Sequence, residues 1–277
     1  DSPFQNMHMI GSDKASGPGV TDMKGGDVII IHALRALRAA GQLDRMSIRV
    51  VLTGDEENSG EPSALSKQAL LEAGDWADIA IGFEDGDGDP KTAAISRRGA
   101  SGWQLEVKGR PAHSSQILQP DVGDGAIFEA ARILDGFRVA LSAQPNLSFN
   151  PGVIVGGTDI RLDEQTSRGT AFGKSNVIAQ SVRVDGDLRA ISPEQLNLAR
   201  QTMRRIVEAH LPGASASIKF DDGYPPMAPT EGNAKLLSLY SKASEDYGFG
   251  PVIAINPRNA GAADISHAAG CLLAVDN

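Results

Sequence analysis

The sequence predicts an α/β domain with a mostly parallel central sheet, interrupted by an α+β insert. Three observations carry that prediction. Helix-like and strand-like apolar segments alternate between residues 26 and 83, the order expected of a parallel sheet with helices on its faces. After residue 96 the order becomes strand, helix, strand, strand, helix, strand, which is the pattern of an α+β unit. From Tyr224-Pro225-Pro226 a long helical segment and a short strand restore the first pattern. The predicted parts are therefore 1–96 with 226–277, and the insert 97–225.

Each element has its own signal. Residues 26–40 place Val28, Ile31, Leu34, Ala36 and Leu37 on one apolar face, and Gly41 stops the helix. Residues 47–52 (SIRVVL) read as a strand ending at Thr53-Gly54, residues 65–73 as a helix, and 79–83 as a second strand. In the insert, 103–108 alternates like a half-buried strand, 124–141 is helical, and 153–155 and 176–189 are strands. Ser192-Pro193-Glu194-Gln195 is a capping box with Pro near the first helical position, opening a helix to about residue 211. Residues 214–220 read as a strand, 234–247 as a helix and 252–255 as the last strand, before a Gly/Ala-rich turn.

Composition narrows the chemistry. The 277 residues are 41% hydrophobic and 22% charged, an ordinary globular balance with enough chain for a core. Acidic residues outnumber basic ones 35 to 26, and a net charge of −9 argues against binding nucleic acid through counterion release. No run approaches the ~18 apolar residues of a membrane span, so no membrane partner is expected. The single cysteine, Cys271, permits neither an intrachain disulfide nor a thiolate metal cluster, so any metal falls to His, Asp and Glu. The chain opens Asp-Ser-Pro without an initiator Met, which leaves the compartment open.

Three acidic sites stand at predicted element ends. Asp22 lies in the Gly-rich run GPGVTDMKGG just before the first helix; alone it reads equally well as an N-cap. Asp55, Glu56 and Glu57 follow the predicted strand 47–52 directly, and ligands of open α/β sheets gather at the carboxyl ends of strands. Adjacent Glu56 and Glu57 repel unless a cation or a shared proton separates their roles; a solvated acidic loop is the alternative. Glu84 and Asp85 repeat that placement after strand 79–83. Carboxylates with some imidazole suit zinc, manganese or cobalt. The acidic run 85–89 is not an EF-hand, because Pro90 occupies the turn-Gly position and Ser96 that of the bidentate Glu. A nucleotide-binding reading also fails: RGTAFGKS has Arg168 where a P-loop needs Gly, and Gly17-Pro18-Gly19 lacks the third Gly of a dinucleotide fingerprint.

Taken in order, GPGVTDMKGG, GDEE, FED and KGRPAHSS resemble the dinuclear zinc aminoacylase/carboxypeptidase family, which includes glutamate carboxypeptidase, acetylornithine deacetylase and succinyl-diaminopimelate desuccinylase. The resemblance covers essentially the whole chain. It implies a zinc-peptidase-like catalytic domain, two zinc ions (cobalt or manganese as alternatives) and a lid domain through which two chains dimerise. It implies Asp22 as the bridging carboxylate, Glu57 and Glu84 as ligands of one metal each, and Glu56 as general base. It further implies that His113 stabilises an oxyanion in the partner subunit's site. Asn176 (KSNVI) and Arg189 (GDLRA) are implied to bind substrate, Arg189 through its carboxylate. Gly261 opens a Gly-Ala-Ala-Asp turn where the family has Gly-Gly-Thr-Asp, and matches a substrate contact.

The remaining cations have bland readings. Arg97 and Arg98 read as hinge or surface charges, and His8, His32, His210 and His267 as structural. The family's first and last zinc-binding histidines have no counterpart, so the chain is expected to be truncated at both ends, to bind metal weakly and to hydrolyse little by itself. The implied activity is cleavage of an amide bond beside a free carboxylate in a small peptide, of carboxypeptidase or dipeptidase type. An N-acyl amino acid deacylase and a metal-free binding homologue are the alternatives.

Overall fold

The computed structural model describes residues 6–84, 86–163, 168–269 and 273–276; Asp85, Cys271 and Asn277 lie outside the described residues. The chain forms two compact units, one of Asp1–Arg97 with Met227–Asn277, the other of Arg98–Pro226.

The first unit begins with a small antiparallel pair, β1 (His8–Ile10) and β2 (Lys14–Ser16). A kinked turn, Val20–Lys24, leads into α1 (Gly25–Ala39). Two short helices follow, α2 (Ser63–Ser66) and α3 (Gln68–Trp76), then β3 (Ile79–Gly82) and β4 (Thr92–Ala93). The second unit contains β5 (Gly99–Gly109), α4 (Gly125–Leu141), β6 (Ser148–Gly157), β7 (Asp159–Asp163), β8 (Arg168–Phe172), β9 (Ser181–Ala190), α5 (Pro193–Glu208) and β10 (Ala214–Asp222). The chain then returns to the first unit with α6 (Glu231–Asp246), β11 (Ile253–Ala254), α7 (Ile265–Ala268) and β12 (Leu273–Asp276).

Parallel pairing is present in the first unit, but as two separate two-stranded pairs, β12 with β3 and β11 with β4, rather than one continuous sheet. The predicted strand 47–52 is absent: these residues join no ladder among the described residues, and Ile48, Val50 and Leu52 are exposed. Alternation offers a face to bury, but a strand also needs a neighbour for its N–H and C=O groups. The predicted apolar face of the first helix is likewise uncovered at Val28 and Ile31, and within α1 only Gly26 is buried. Two glycines set the close approaches here. A side chain at Gly26 would strike the Phe83 carbonyl, and one at Gly82 would strike the Asp276 carboxylate opposite it in the β3–β12 register.

The second unit is an antiparallel sheet of order β10-β5-β9-β6, with α4 and α5 supplying the other half of its core. Burial alternates along β5, so Trp103, Leu105 and Val107 face inward beside Val182, Val184 and Leu188 of β9. Ile133 and Phe137 of α4 and Met203 and Val207 of α5 close the interior. Trp103 meets Phe137 edge-on, with ring centres 5.8 Å apart and planes at 87°. The hairpin β7–β8 was not foreseen; RGTAF forms β8, so that run is strand and not a phosphate loop. The predicted strand 176–189 begins only at Ser181, because Asn176 and Ile178 bond instead to Ser114 and Ala112. At the start of α5 the Gln195 amide donates to Ser192 Oγ at 3.2 Å, while the Gln195 side chain accepts from Ile191 N at 2.9 Å, one residue earlier than the ideal box. Among the described residues no helix is long and apolar enough to cross a membrane.

Candidate active site

The acidic groups of the first unit lie on separate turns, at Asp22, at Glu56 and Glu57, at Glu84 and at Asp264. Asp22 sits at the kink of the Val20–Lys24 turn, with φ −108° and ψ 100°, and is exposed. The close fit of Gly26 on Phe83 brings this turn to the end of β3, where Glu84 donates its amide to Asp276 Oδ1 at 3.2 Å. Glu56 and Glu57 lie in the acidic turn after residue 53, and Asp264 immediately precedes α7. Glu56 is half-buried. Burial raises its carboxyl pKa above the ordinary range, and the negative charges of Asp264, Glu57 and Asp22 raise it further, against a smaller opposing pull from Lys67.

Asp22, Glu57 and Asp264 are thus each within electrostatic reach of Glu56. Carboxylate donors of this kind suit the implied cation. The geometry does not yet suit it: among the described residues no three His, Cys, Asp or Glu side chains converge closely enough to hold a metal ion. Asp22 and Glu57 are exposed and Glu84 is half-buried.

Sequence reasoning missed the scaffold behind these acids. Lys67 is 1% exposed, and its ammonium lies 3.1 Å from Asp55 Oδ1 and 3.1 Å from Asp264 Oδ1. Asp55 Oδ2 accepts from Ser66 Oγ and, at 3.1 Å, from the Gly60 amide. The Ser66 hydroxyl first, then Gly60 and Lys67, hold the Asp55 carboxyl far below the usual range. The Thr53 hydroxyl donates to Asp264 Oδ2. His267, read as structural, is half-buried beside this network; burial lowers its imidazole pKa more than Asp264 raises it.

Arg97, the residue that ends the first segment of the first unit, is corrected as a surface charge. It is 2% exposed, with Nε 2.8 Å from Asp276 Oδ2 and Nη1 donating to the Gly261 carbonyl at 3.0 Å. The room for that ion pair comes from Gly82, whose missing side chain admits Asp276. Gly261 itself is exposed, and the space where its Cβ would stand is open. Arg98 is half-buried and donates to Ser148 Oγ at 2.8 Å.

In the second unit, His113 is exposed and caps a short turn, its Nδ1 accepting from the Ser115 amide at 3.3 Å. In the neutral ring Nε2 then carries the proton. Asn176 lies beside it, its carbonyl accepting from Ser114 N at 2.9 Å. Arg189 stands elsewhere, its Nε 3.0 Å from Asp187 Oδ2. His113 and Asn176 adjoin the Ser181 end of β9, and Arg189 lies eight residues along that strand, roughly 26 Å away. The structure therefore does not bring Arg189 together with His113 and Asn176. His210 packs its Nδ1 3.5 Å from the buried Glu129.

Comparison with known proteins agrees with the fold and the family resemblance. Residues 1–275 match peptidase family M20/M25/M40. Carboxypeptidase G2 of Pseudomonas sp. (strain RS-16) is 26% identical over 273 residues, which is 97% of this chain and 59% of that protein. Succinyl-diaminopimelate desuccinylase of Dechloromonas aromatica (strain RCB) is 29% identical over 205 residues, 70% of this chain and 49% of that protein. Among solved structures, aminopeptidase PepT from Bacillus cereus ATCC 10987 superposes with a TM-score of 0.69 at 18% identity, covering 99% of this chain and 68% of that one, which is a likeness of fold. The chain spans between about half and three-fifths of the length of these two curated relatives. By its match along nearly every residue, the chain belongs to peptidase family M20/M25/M40.

Proposed function

We propose that the protein hydrolyses an amide bond beside a free carboxylate in a small peptide, as a carboxypeptidase or dipeptidase, with Glu56 as proton acceptor. The observation that carries this reading is the gathering of Glu57, Asp22 and Asp264 around a half-buried Glu56 in a chain of this family. A carboxylate so placed takes the proton of an attacking water and returns it to the leaving nitrogen. Metal dependence belongs to the same reading by resemblance: Asp22, Glu57 and Glu84 are the carboxylates that would share in holding two zinc ions, or cobalt or manganese, and would have to draw closer together than they stand to do so.

The second unit fits the role of a lid. His113 carries an Nε2–H suited to an oxyanion, because Nδ1 is engaged by Ser115. Arg189 gives Nε to Asp187, and a guanidinium has further N–H donors for a substrate carboxylate. The separation of Arg189 from His113 and Asn176 supports a homodimer formed through this unit, in which the two groups serve different copies of the site. The desuccinylase relative favours a second substrate class, N-acyl amino acids.

The test is Glu56→Gln in the full-length protein, assayed on dipeptides with an acidic C-terminal residue and on N-acyl amino acids, with metal content measured in parallel. Turnover is expected to fall by about 10²–10⁴-fold with metal content unchanged. Undiminished turnover would remove Glu56 from the reaction. Absence of both metal and turnover in the unsubstituted full-length protein supplied with zinc would favour the metal-free binding homologue.

A further inference from the structure

We infer that Lys67 is a positioning residue, a cationic clamp that fixes the turn carrying Glu56 against the turn carrying Asp264. The inference rests on the reading of Glu56 as proton acceptor. A lysine that is 1% exposed keeps its charge only where partners replace its water. The partners of Lys67 include Asp55 Oδ1 at 3.1 Å, the Asp55 carbonyl at 3.2 Å and Asp264 Oδ1 at 3.1 Å, enough for the three N–H bonds of an ammonium.

The two carboxylates converge on one nitrogen, and without it they face each other as like charges. Each is also locked from its far side, Asp55 by Gly60 and Ser66, Asp264 by Thr53. The two turns are therefore tied through Lys67 and again through Thr53. Glu56 follows Asp55 directly, so the clamp sets its distance from Asp264. Lys67 is itself anchored by its backbone: its amide donates to Ser63 O at 2.8 Å, and its carbonyl accepts from Leu70 and Leu71 at 3.1 Å, which aims the side chain from the corner between α2 and α3.

The clamp is tested with Lys67→Met and Lys67→Arg in the full-length protein, read by hydrogen exchange and by steady-state kinetics. In Lys67→Met, amides of residues 53–60 and 261–267 are expected to exchange at least ~tenfold faster, with the core of the second unit unchanged. The kcat is expected to fall about 100-fold, the cost of a misplaced group, with KM changing less than about twofold. Lys67→Arg keeps the charge and several donors, and restores most of the protection and of kcat. Exchange that rises in one turn only, or two loosened turns with kcat intact, overturns the inference. If Lys67→Met does not fold, Asp264→Asn is read in its place: loosening in both turns supports the clamp, and loosening in 261–267 alone overturns it. If the unsubstituted full-length protein shows no turnover, the hydrolase reading fails while the exchange measurement still decides the clamp.

Discussion

The two units of this chain bury different things. The second unit buries one contiguous apolar cluster, from Trp103 and Leu105 in β5 through Phe137 in α4 to Met203 in α5. The first unit has small apolar clusters of three or four buried residues, among them Ala93 with Leu237 and Met227 with Ala274. It buries charge instead: Lys67, Arg97 and Asp276 are all at most 2% exposed, and Asn233 beside them donates to the Ile95 carbonyl at 3.0 Å. The unit that carries the acidic turns is thus held by directional polar contacts, while the other is held by area and shape. Apolar burial is non-directional, whereas a hydrogen-bonded ion pair holds its partners at a set distance and angle. A site that must hold several carboxylates near one another is served by the second kind of interior.

The largest break in that comparison is Arg97→Met. It leaves the Asp276 carboxylate, which is 0% exposed, without its cation, and a stripped buried pair costs about 3–5 kcal/mol. Arg97→Lys recovers only part, since a point charge does not reproduce the fork that reaches both Asp276 and the Gly261 carbonyl. Hydrogen exchange resolved by segment shows where the loss falls. Faster exchange confined to the first unit means that the two interiors open independently. Equal acceleration in β5 and β9 means that they share one cooperative transition, and the contrast between the units is then one of composition only.

What the sequence disclosed divides along the same line. In the second unit, α4, α5, β5 and β10 fall close to their predicted spans, because helical periodicity, strand alternation and the Ser192 cap are local signals. In the first unit the strand 47–52 failed, because its signal concerned a face and its formation required a partner strand. The acids were legible for a local reason as well: Glu56, Glu57 and Glu84 follow apolar runs directly. Their scaffold was not. Nothing near Lys67 or Arg97 in sequence marks either as buried, because burial of a charge is decided by distant partners; Arg97 meets the Gly261 carbonyl across 164 positions. The pair β7–β8 escapes a sequence reading because β8 is exposed along its whole length and the apolar alternation of β7 is only two residues, Ile160 and Leu162.

The second unit has its own buried charge, which makes a sharper test by pH. Glu129 is 0% exposed and receives Arg132 Nε at 2.9 Å, Arg132 Nη2 at 2.7 Å and the Leu211 amide at 3.1 Å. Burial alone raises its pKa; the Arg132 hydrogen bonds, the Leu211 amide and His210 more than offset that and bring it below the ordinary carboxyl value of 4.5. A carboxyl depressed in the folded state adds stability that is complete above its unfolded pKa and is lost as pH falls through the folded one. Stability of the second unit should therefore decline below about pH 4.5, and Glu129→Gln should flatten that part of the decline. Urea unfolding followed by Trp103 fluorescence in a Trp76→Phe background measures this, since the chain has two tryptophans. An unchanged acid slope in Glu129→Gln would assign the loss to other carboxylates.

The smallest expected effect is the most local. Ser192→Ala removes the side-chain acceptor of the Gln195 amide at the start of α5, a change worth about 1 kcal/mol. Gln195 keeps its own bonds to Ile191 N and to the Pro145 carbonyl, both at 2.9 Å, so the entry to the helix stays tethered. The buried side of α5, at Ala199, Met203 and Val207, lies two turns or more beyond the cap and rests on the apolar core. Trp103 fluorescence should therefore report a modest shift in the urea midpoint with an unchanged slope. A loss near 3 kcal/mol, comparable to Arg97→Met, would mean that one cap supports the core as a buried ion pair supports the acidic turns, and that apolar area is not what distinguishes the second unit.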